Sequence, residues 1–224
     1  MIGPRRYADR AEAGRLLAAE VLQAVEPSLL APAGDGPGPI VLALPRGGVP
    51  VAVPVAAALG VAVSALVVRK LGAPRQPELA LGAIAAIDDR VEQVINTDLV
   101  AQLGLSDRVL SRLVEHETAA LRERVAAFGT APRVAERVVI LVDDGLATGA
   151  TMRAAVAAVR SAGASFVIVA TPIGAADACR DLARLADCVV CPRRPEPFRA
   201  VGEHYRDFTQ VADAEVLALL CHPG

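Results

Sequence analysis

The chain has 224 residues, of which 54% are hydrophobic and 21% charged, and its formal net charge is −2. That composition supports a sizeable buried core and carries no clustered basic excess, so no nucleic-acid surface is expected. No run reaches the roughly 18 apolar residues of a membrane helix, and residues 1–10 lack the apolar centre of a secretory signal, which points to a cytoplasmic protein without a membrane partner.

In chain order, residues 9–25 read as a helix. Asp9 and Glu12 have capping-box spacing, and Leu16, Leu17, Val21 and Val25 follow at helical intervals. Residues 27–39 are rich in Pro and Gly and read as a loop. Residues 40–44 form a short apolar strand. Residues 49–59 form a helix, with Pro50 in its first turn, a kink or late start expected at Pro54, and Gly60 as its stop. Residues 62–68 read as a second buried strand. Short strands at 84–87 and 91–95 flank a turn at Asp88-Asp89-Arg90, and 106–128 read as one long helix with Leu110, Leu113, Leu121, Val125 and Phe128 in its apolar stripe. The alternation then resumes, with strands at 137–142, 165–170 and 187–191, helices at 151–162 and 174–185, and a last helix at 211–221. Continuous apolar strands between helices indicate an α/β fold, its mostly parallel sheet covered on both faces.

The cysteines are Cys179, Cys188, Cys191 and Cys221. Cys188 and Cys191 form a C-x-x-C, but no second pair follows, so small buried hydrophobes are expected rather than a metal or redox site. Lys70 is the single lysine among 23 basic residues, a hint that arginine would not serve at that position.

The chemistry concentrates in residues 138–152. Five apolar residues end in Asp143-Asp144, and the small-residue loop Gly145-Leu146-Ala147-Thr148-Gly149-Ala150-Thr151 opens a helix. In parallel α/β sheets, ligands bind beyond the carboxyl ends of the strands. The loop leaves backbone N–H groups unobstructed at a helix N-terminus, which suits a phosphate. Two carboxylates would repel that phosphate, so sugar hydroxyls or a substrate-bound Mg²⁺ suit them. No P-loop lysine follows Gly149, and the Rossmann glycine pattern is absent.

The segment closely resembles the PRPP (phosphoribosyl pyrophosphate)-binding motif of type I phosphoribosyltransferases: apolar strand, Asp-Asp, then x-x-x-Thr-Gly-x-Thr. The resemblance implies that Ala147, Thr148, Gly149, Ala150 and Thr151, with Gly145, hold the 5′-phosphate, and that Asp143 and Asp144 hold the ribose hydroxyls. Leu44-Pro45-Arg46-Gly47-Gly48 resembles the family's pyrophosphate loop, which often carries a non-proline cis peptide, expected here at Pro45–Arg46 or Arg46–Gly47. Arg69 and Lys70, in Val67-Val68-Arg69-Lys70-Leu71-Gly72-Ala73-Pro74-Arg75-Gln76-Pro77-Glu78, are expected to reach the diphosphate from a strand end ahead of a mobile loop. In the tail, Phe198, Tyr205 and Asp207 are the candidates for contacting a base. The resemblance covers residues 40–207 and is best with an uncharacterised bacterial phosphoribosyltransferase group.

The expected architecture is a type I phosphoribosyltransferase fold within one domain, 1–224, with an insertion at about 84–130 and a hood-like tail at about 192–224. The expected activity is PRPP-dependent pentosyl transfer to a nitrogenous base or similar acceptor, with pyrophosphate released. Mg²⁺ arrives with PRPP, possible metal help comes from Asp143 and Asp144, and the catalytic groups are Asp144, Lys70 and Arg69. PRPP and a base are the expected partners, and a homodimer the expected state. The alternative is a regulatory protein that binds PRPP without turning it over. A diphosphotransferase resembling PRPP synthetase would need two related halves, and the chain has no internal duplication.

Overall fold

The computed structural model describes residues 6–30 and 38–221, without the side chains of residues 77 and 78. The helices are α1 (Arg10–Ala24), α2 (Pro27–Leu30), α3 (Gly48–Leu59), α4 (Thr97–Gln102), α5 (Asp107–Phe128), α6 (Ala150–Ser161), α7 (Ala176–Leu182) and α8 (Asp213–Cys221). The strands are β1 (Ile40–Ala43), β2 (Val63–Ala65), β3 (Val68–Ala73), β4 (Gln76–Ile87), β5 (Arg90–Ile95), β6 (Val138–Val142), β7 (Phe166–Ala170) and β8 (Cys188–Val190).

Five strands pair in the order β2-β1-β6-β7-β8, all parallel. The chain runs from β1 to β2 in one direction and later from β6 through β8 in the other. The strand order therefore reverses between β1 and β6, where a crevice opens at the carboxyl edge. Side chains alternate along each strand. Val41, Ala43, Ile140 and Val142 face the core that α1 and α3 cover, and Ile40, Leu42, Val139 and Leu141 face the core under α6 and α7. Burial on both faces accounts for the uninterrupted apolar runs.

Local signals explain several boundaries. The Asp9 side chain accepts from the Glu12 N–H at 2.7 Å, one half of the capping box, and the Glu12 carboxylate reaches back to the N–H of Ala8, one residue ahead of the cap. α3 starts at Gly48 rather than late, runs through Pro54, and ends on Gly60 at φ 66°. The first part of the loop expected over 27–39 forms α2, and its residues 31–37 lie outside the described residues, as do residues 1–5 and 222–224.

The strand expected at 62–68 divides in two. β2 ends at Ala65, and β3 begins at Val68 in a separate antiparallel sheet, β3-β4-β5. Periodicity could not show this break, because Leu66 and Val67 at the crossing are as buried as the strands on either side. The departure from the parallel sheet thus begins ahead of the expected boundary near residue 84. Arg69 and Lys70 lie within β3, and the segment expected to be a mobile loop is the β3–β4 hairpin. The β4–β5 turn is the anticipated Asp88-Asp89, both residues left-handed at φ 53° and 57°, the two-residue geometry that matches strand twist. The short helix α4 was not anticipated.

Candidate functional site

β1 and β6 are neighbours, so their carboxyl ends bring two loops together. Leu44 donates its N–H to Val142 O at 2.9 Å, joining the start of one loop to the end of the strand beneath the other. The Pro45–Arg46 peptide is cis. The turn lies close against the carboxylates. A Cβ on Gly47 would stand 2.1 Å from Asp144 Oδ2, and one on Gly48 2.6 Å from Val142 O. Glycine is required at both positions because the space belongs to β6 and its acids.

Asp143 and Asp144 sit side by side at the end of β6. Burial, reinforced by the Asp144 charge, pushes the Asp143 carboxyl well above the usual range, against the pull of the Asp144 N–H bonded to Asp143 Oδ1 at 2.8 Å. Burial also raises Asp144, while Arg10 pulls it back down. Arg10 Nε lies 2.9 Å from Asp144 Oδ2, with both side chains largely buried. Arg10 comes from α1, which gave no functional signal in the sequence.

Gly149 caps α6 in the left-handed conformation, φ 69°. The Thr148 hydroxyl accepts from Ala150 N–H at 3.4 Å, and Arg153 Nη1 holds the Thr148 carbonyl at 2.7 Å. Thr148 is exposed. Thr151 is exposed as well, so the loop places two threonine side chains at the N-terminus of an α-helix, an arrangement suited to an anion.

β3 faces this loop. Val68, Arg69, Lys70, Thr148, Ala150 and Thr151 line one hollow of about 340 Å³. Val68, Arg69 and Thr151 also line a second hollow of about 140 Å³ that reaches Pro45 and Arg124. The three segments singled out in the sequence thus converge. Their cations hold acids: Arg69 pairs with Glu117 at 2.8 Å, and Arg46 with Asp213 at 3.4 Å. Arg124 of α5 also reaches Asp213, at 3.6 Å. Nothing in the α5 periodicity distinguished Arg124 from the other charges on that helix.

The tail closes over the acids. Gly145 lies under the 3-10 turn Val201–His204, 2.5 Å being the distance from its added Cβ to Val201 Cγ1. Tyr205 is buried, packs against Tyr7 and Phe208, and donates its hydroxyl to Asp144 O at 2.7 Å. Its ring is occupied by the core, so its observed work is to hold the Asp144 backbone. Phe198 is half-buried and stacks on His204. Asp207 is exposed, and the hydroxyl and N–H of Thr209 bonded to its carboxylate lower its pKa.

The C-x-x-C cysteines diverge: Cys188 packs toward the α1 and α3 side and Cys191 toward α7. Cys191 instead meets Cys179, whose thiol that contact lowers to about 7. Among the described residues no group of three or more His, Cys, Asp or Glu could hold a metal, and no helix is long and apolar enough to cross a membrane.

Known proteins share this architecture. The sequence model described as the phosphoribosyl transferase domain matches residues 34–206. The chain is 42% identical over 217 residues to two curated relatives from Mycobacterium tuberculosis, strains CDC 1551 and H37Rv, each named "Putative phosphoribosyl transferase". That alignment covers 96% of this chain and 46% of each relative, so the chain spans about half their length. The crystal structure of TT1426 from Thermus thermophilus superposes with a TM-score of 0.79 at 37% identity, covering 96% of this chain and 97% of that one.

Proposed function

The chain belongs to the phosphoribosyl transferase domain family, and on that premise we propose that it transfers the 5-phosphoribosyl group of PRPP to a nitrogenous base or similar acceptor, releasing pyrophosphate. The observation that carries this reading is the convergence of the α6 N-terminus, the β3 cations and the loop 44–48 around two adjoining hollows of about 340 and 140 Å³. An extended substrate with a phosphate at one end and a diphosphate at the other matches such a site.

In the proposed binding mode the 5′-phosphate takes the amides of 147–151 and the hydroxyls of Thr148 and Thr151. Asp143 and Asp144 accept from the ribose hydroxyls. The diphosphate meets Arg46, Arg69, Lys70 and the Gly47 amide, while Gly48, whose N–H is held by Leu44 O at 3.0 Å, allows the loop its close approach. Arg46 and Arg69 exchange Asp213 and Glu117 for the diphosphate at little cost, because partly exposed ion pairs are weak. The bond from the anomeric carbon to the diphosphate oxygen breaks with its electron pair leaving on the diphosphate, and the acceptor nitrogen supplies the pair for the new bond. Positive charge developing on the ring faces Asp144, and negative charge growing on the leaving group faces the cations. The rest of the acceleration comes from orientation, and no covalent nucleophile is needed. Phe198 and Asp207 are the acceptor-side contacts, with Tyr205 supporting them from behind.

The site's carboxylates are hard oxygen donors that suit Mg²⁺. In this reading the ion arrives with the substrate and offsets phosphate charge. Titration calorimetry with Mg-PRPP, followed by pyrophosphate release across a panel of bases, tests the proposal. Binding with release in the presence of at least one base is expected. Binding without release from any base would favour the regulatory alternative, and absence of binding would overturn both.

A further inference from the structure

We infer that Arg10 is a positioning residue of the ribose site, fixing the Asp144 carboxylate so that one oxygen is presented to the sugar. The inference rests on the phosphoribosyl reading above and adds to it a residue outside the family-matched span 34–206.

The two Asp144 oxygens are not equivalent. Oδ2 accepts from Arg10 Nε at 2.9 Å and is the oxygen against Gly47, where an added Cβ would stand 2.1 Å from Oδ2 but 3.4 Å from Oδ1. Oδ2 is enclosed between α1 and the loop 44–48, and Oδ1 is left to accept from a ligand. The guanidinium is itself held on three sides. Nη1 donates to Thr209 O at 2.8 Å, Cζ lies 3.9 Å from the centre of the Phe208 ring, and Nε holds Asp144. A flat, forked cation can make these contacts at once, and a lysine ammonium cannot.

The backbone aims Arg10. Asp9 caps α1, and the preceding residues pair with the tail: Tyr7 N–H donates to His204 O, Arg206 N–H to Tyr7 O, and Asp207 N–H to Ala8 O. The ion pair is 11% and 15% exposed on its two sides, so little water competes for either partner. Burial acts against an ionised Asp144, and Arg10 supplies the permanent countercharge that does not depend on the substrate.

Titration calorimetry of Mg-PRPP on folded protein tests this. Arg10→Met is expected to weaken binding by about tenfold or more, with Arg10→Lys recovering part of the loss. In an Asp144→Asn background, Arg10→Met is expected to add less than about twofold, because the two residues act as one unit. Arg15→Met, an exposed arginine on the same helix, is expected to bind like wild type. A merely structural Arg10 would lower the unfolding midpoint without this coupling, and wild-type affinity in Arg10→Met or additive losses with Asp144→Asn would overturn the inference. Should Arg10→Met not fold, Arg10→Gln decides: a loss above about fivefold supports the inference and unchanged affinity overturns it. Failure of the wild-type chain to bind Mg-PRPP would overturn the parent reading and this inference together, whereas wild-type binding with an unaffected Arg10→Met would overturn this inference alone.

Discussion

Asp143 is held in a state that opposes its own ionisation. Burial and the neighbouring Asp144 raise its carboxyl well above the ordinary range. The native chain therefore binds this proton more tightly than the unfolded chain does, and stability falls as pH rises from the ordinary carboxylate value through the raised one. Asp143→Asn is expected to stabilise the protein by on the order of 1 kcal/mol in urea unfolding at neutral pH. The gap from wild type should close on acidification, as wild-type Asp143 takes up its proton, and Mg-PRPP binding should be lost. Gly47 gives the opposite kind of prediction. An alanine there would put Cβ 2.1 Å from Asp144 Oδ2, so Gly47→Ala should push the carboxylate aside and weaken Mg-PRPP binding by about tenfold or more, by calorimetry. The importance of both residues was legible in the sequence, through the Asp-Asp pair and the Arg-Gly-Gly loop. The approach of Gly47 to the acid pair was not, because 96 residues of chain lie between Gly47 and Asp144 and only β1–β6 pairing joins their strands.

Among the elements, the antiparallel sheet carries the basic pair and depends on a close approach between strands. A Cβ on Gly82 would meet Val94 O at 2.0 Å and Ile95 Cα at 3.1 Å. Gly82→Ala is expected to separate β4 from β5 at a cost of about 1–3 kcal/mol, read from the urea midpoint. Lys70 is in register with Ala83 beside Gly82, and Arg69 with Ile84, so the same variant should also weaken Mg-PRPP binding. Elements governed by local chemistry could be read in advance. The Asp9 cap of α1, the Gly60 stop and the turn at Asp88-Asp89 each depend on residues within a few positions of one another. The division of the expected strand 62–68 was hidden, since the apolar run 65–68 looks the same whether or not it changes sheets.

At the scale of the whole molecule, residues 7–8 and 204–207, from opposite parts of the chain, meet beside the acids. Tyr7 pairs with Tyr205 through a parallel bridge, Tyr7 donates its hydroxyl to Pro172 O, and Tyr205 donates its hydroxyl to Asp144 O. Burial raises the Tyr205 hydroxyl far above its ordinary value, so it stays a donor across the accessible pH range. Tyr205→Phe removes that donor at a cost of about 1 kcal/mol in thermal or urea unfolding, and it should reduce Mg-PRPP affinity more than it reduces stability, since the orphaned carbonyl belongs to Asp144.

By itself the sequence determined the chemistry available: a parallel α/β sheet, a phosphate-suited loop, an acidic pair, a glycine loop and a lone lysine, each encoded within a dozen neighbouring residues. The tertiary structure alone decided which groups face one another. Strand order set the glycine loop against Asp144, the hairpin carried Lys70 to Thr148, and the pairing of residues 7–8 with 204–207 brought Arg10 to the acids. Those are contacts between residues far apart in the chain, and no local periodicity or spacing encodes them.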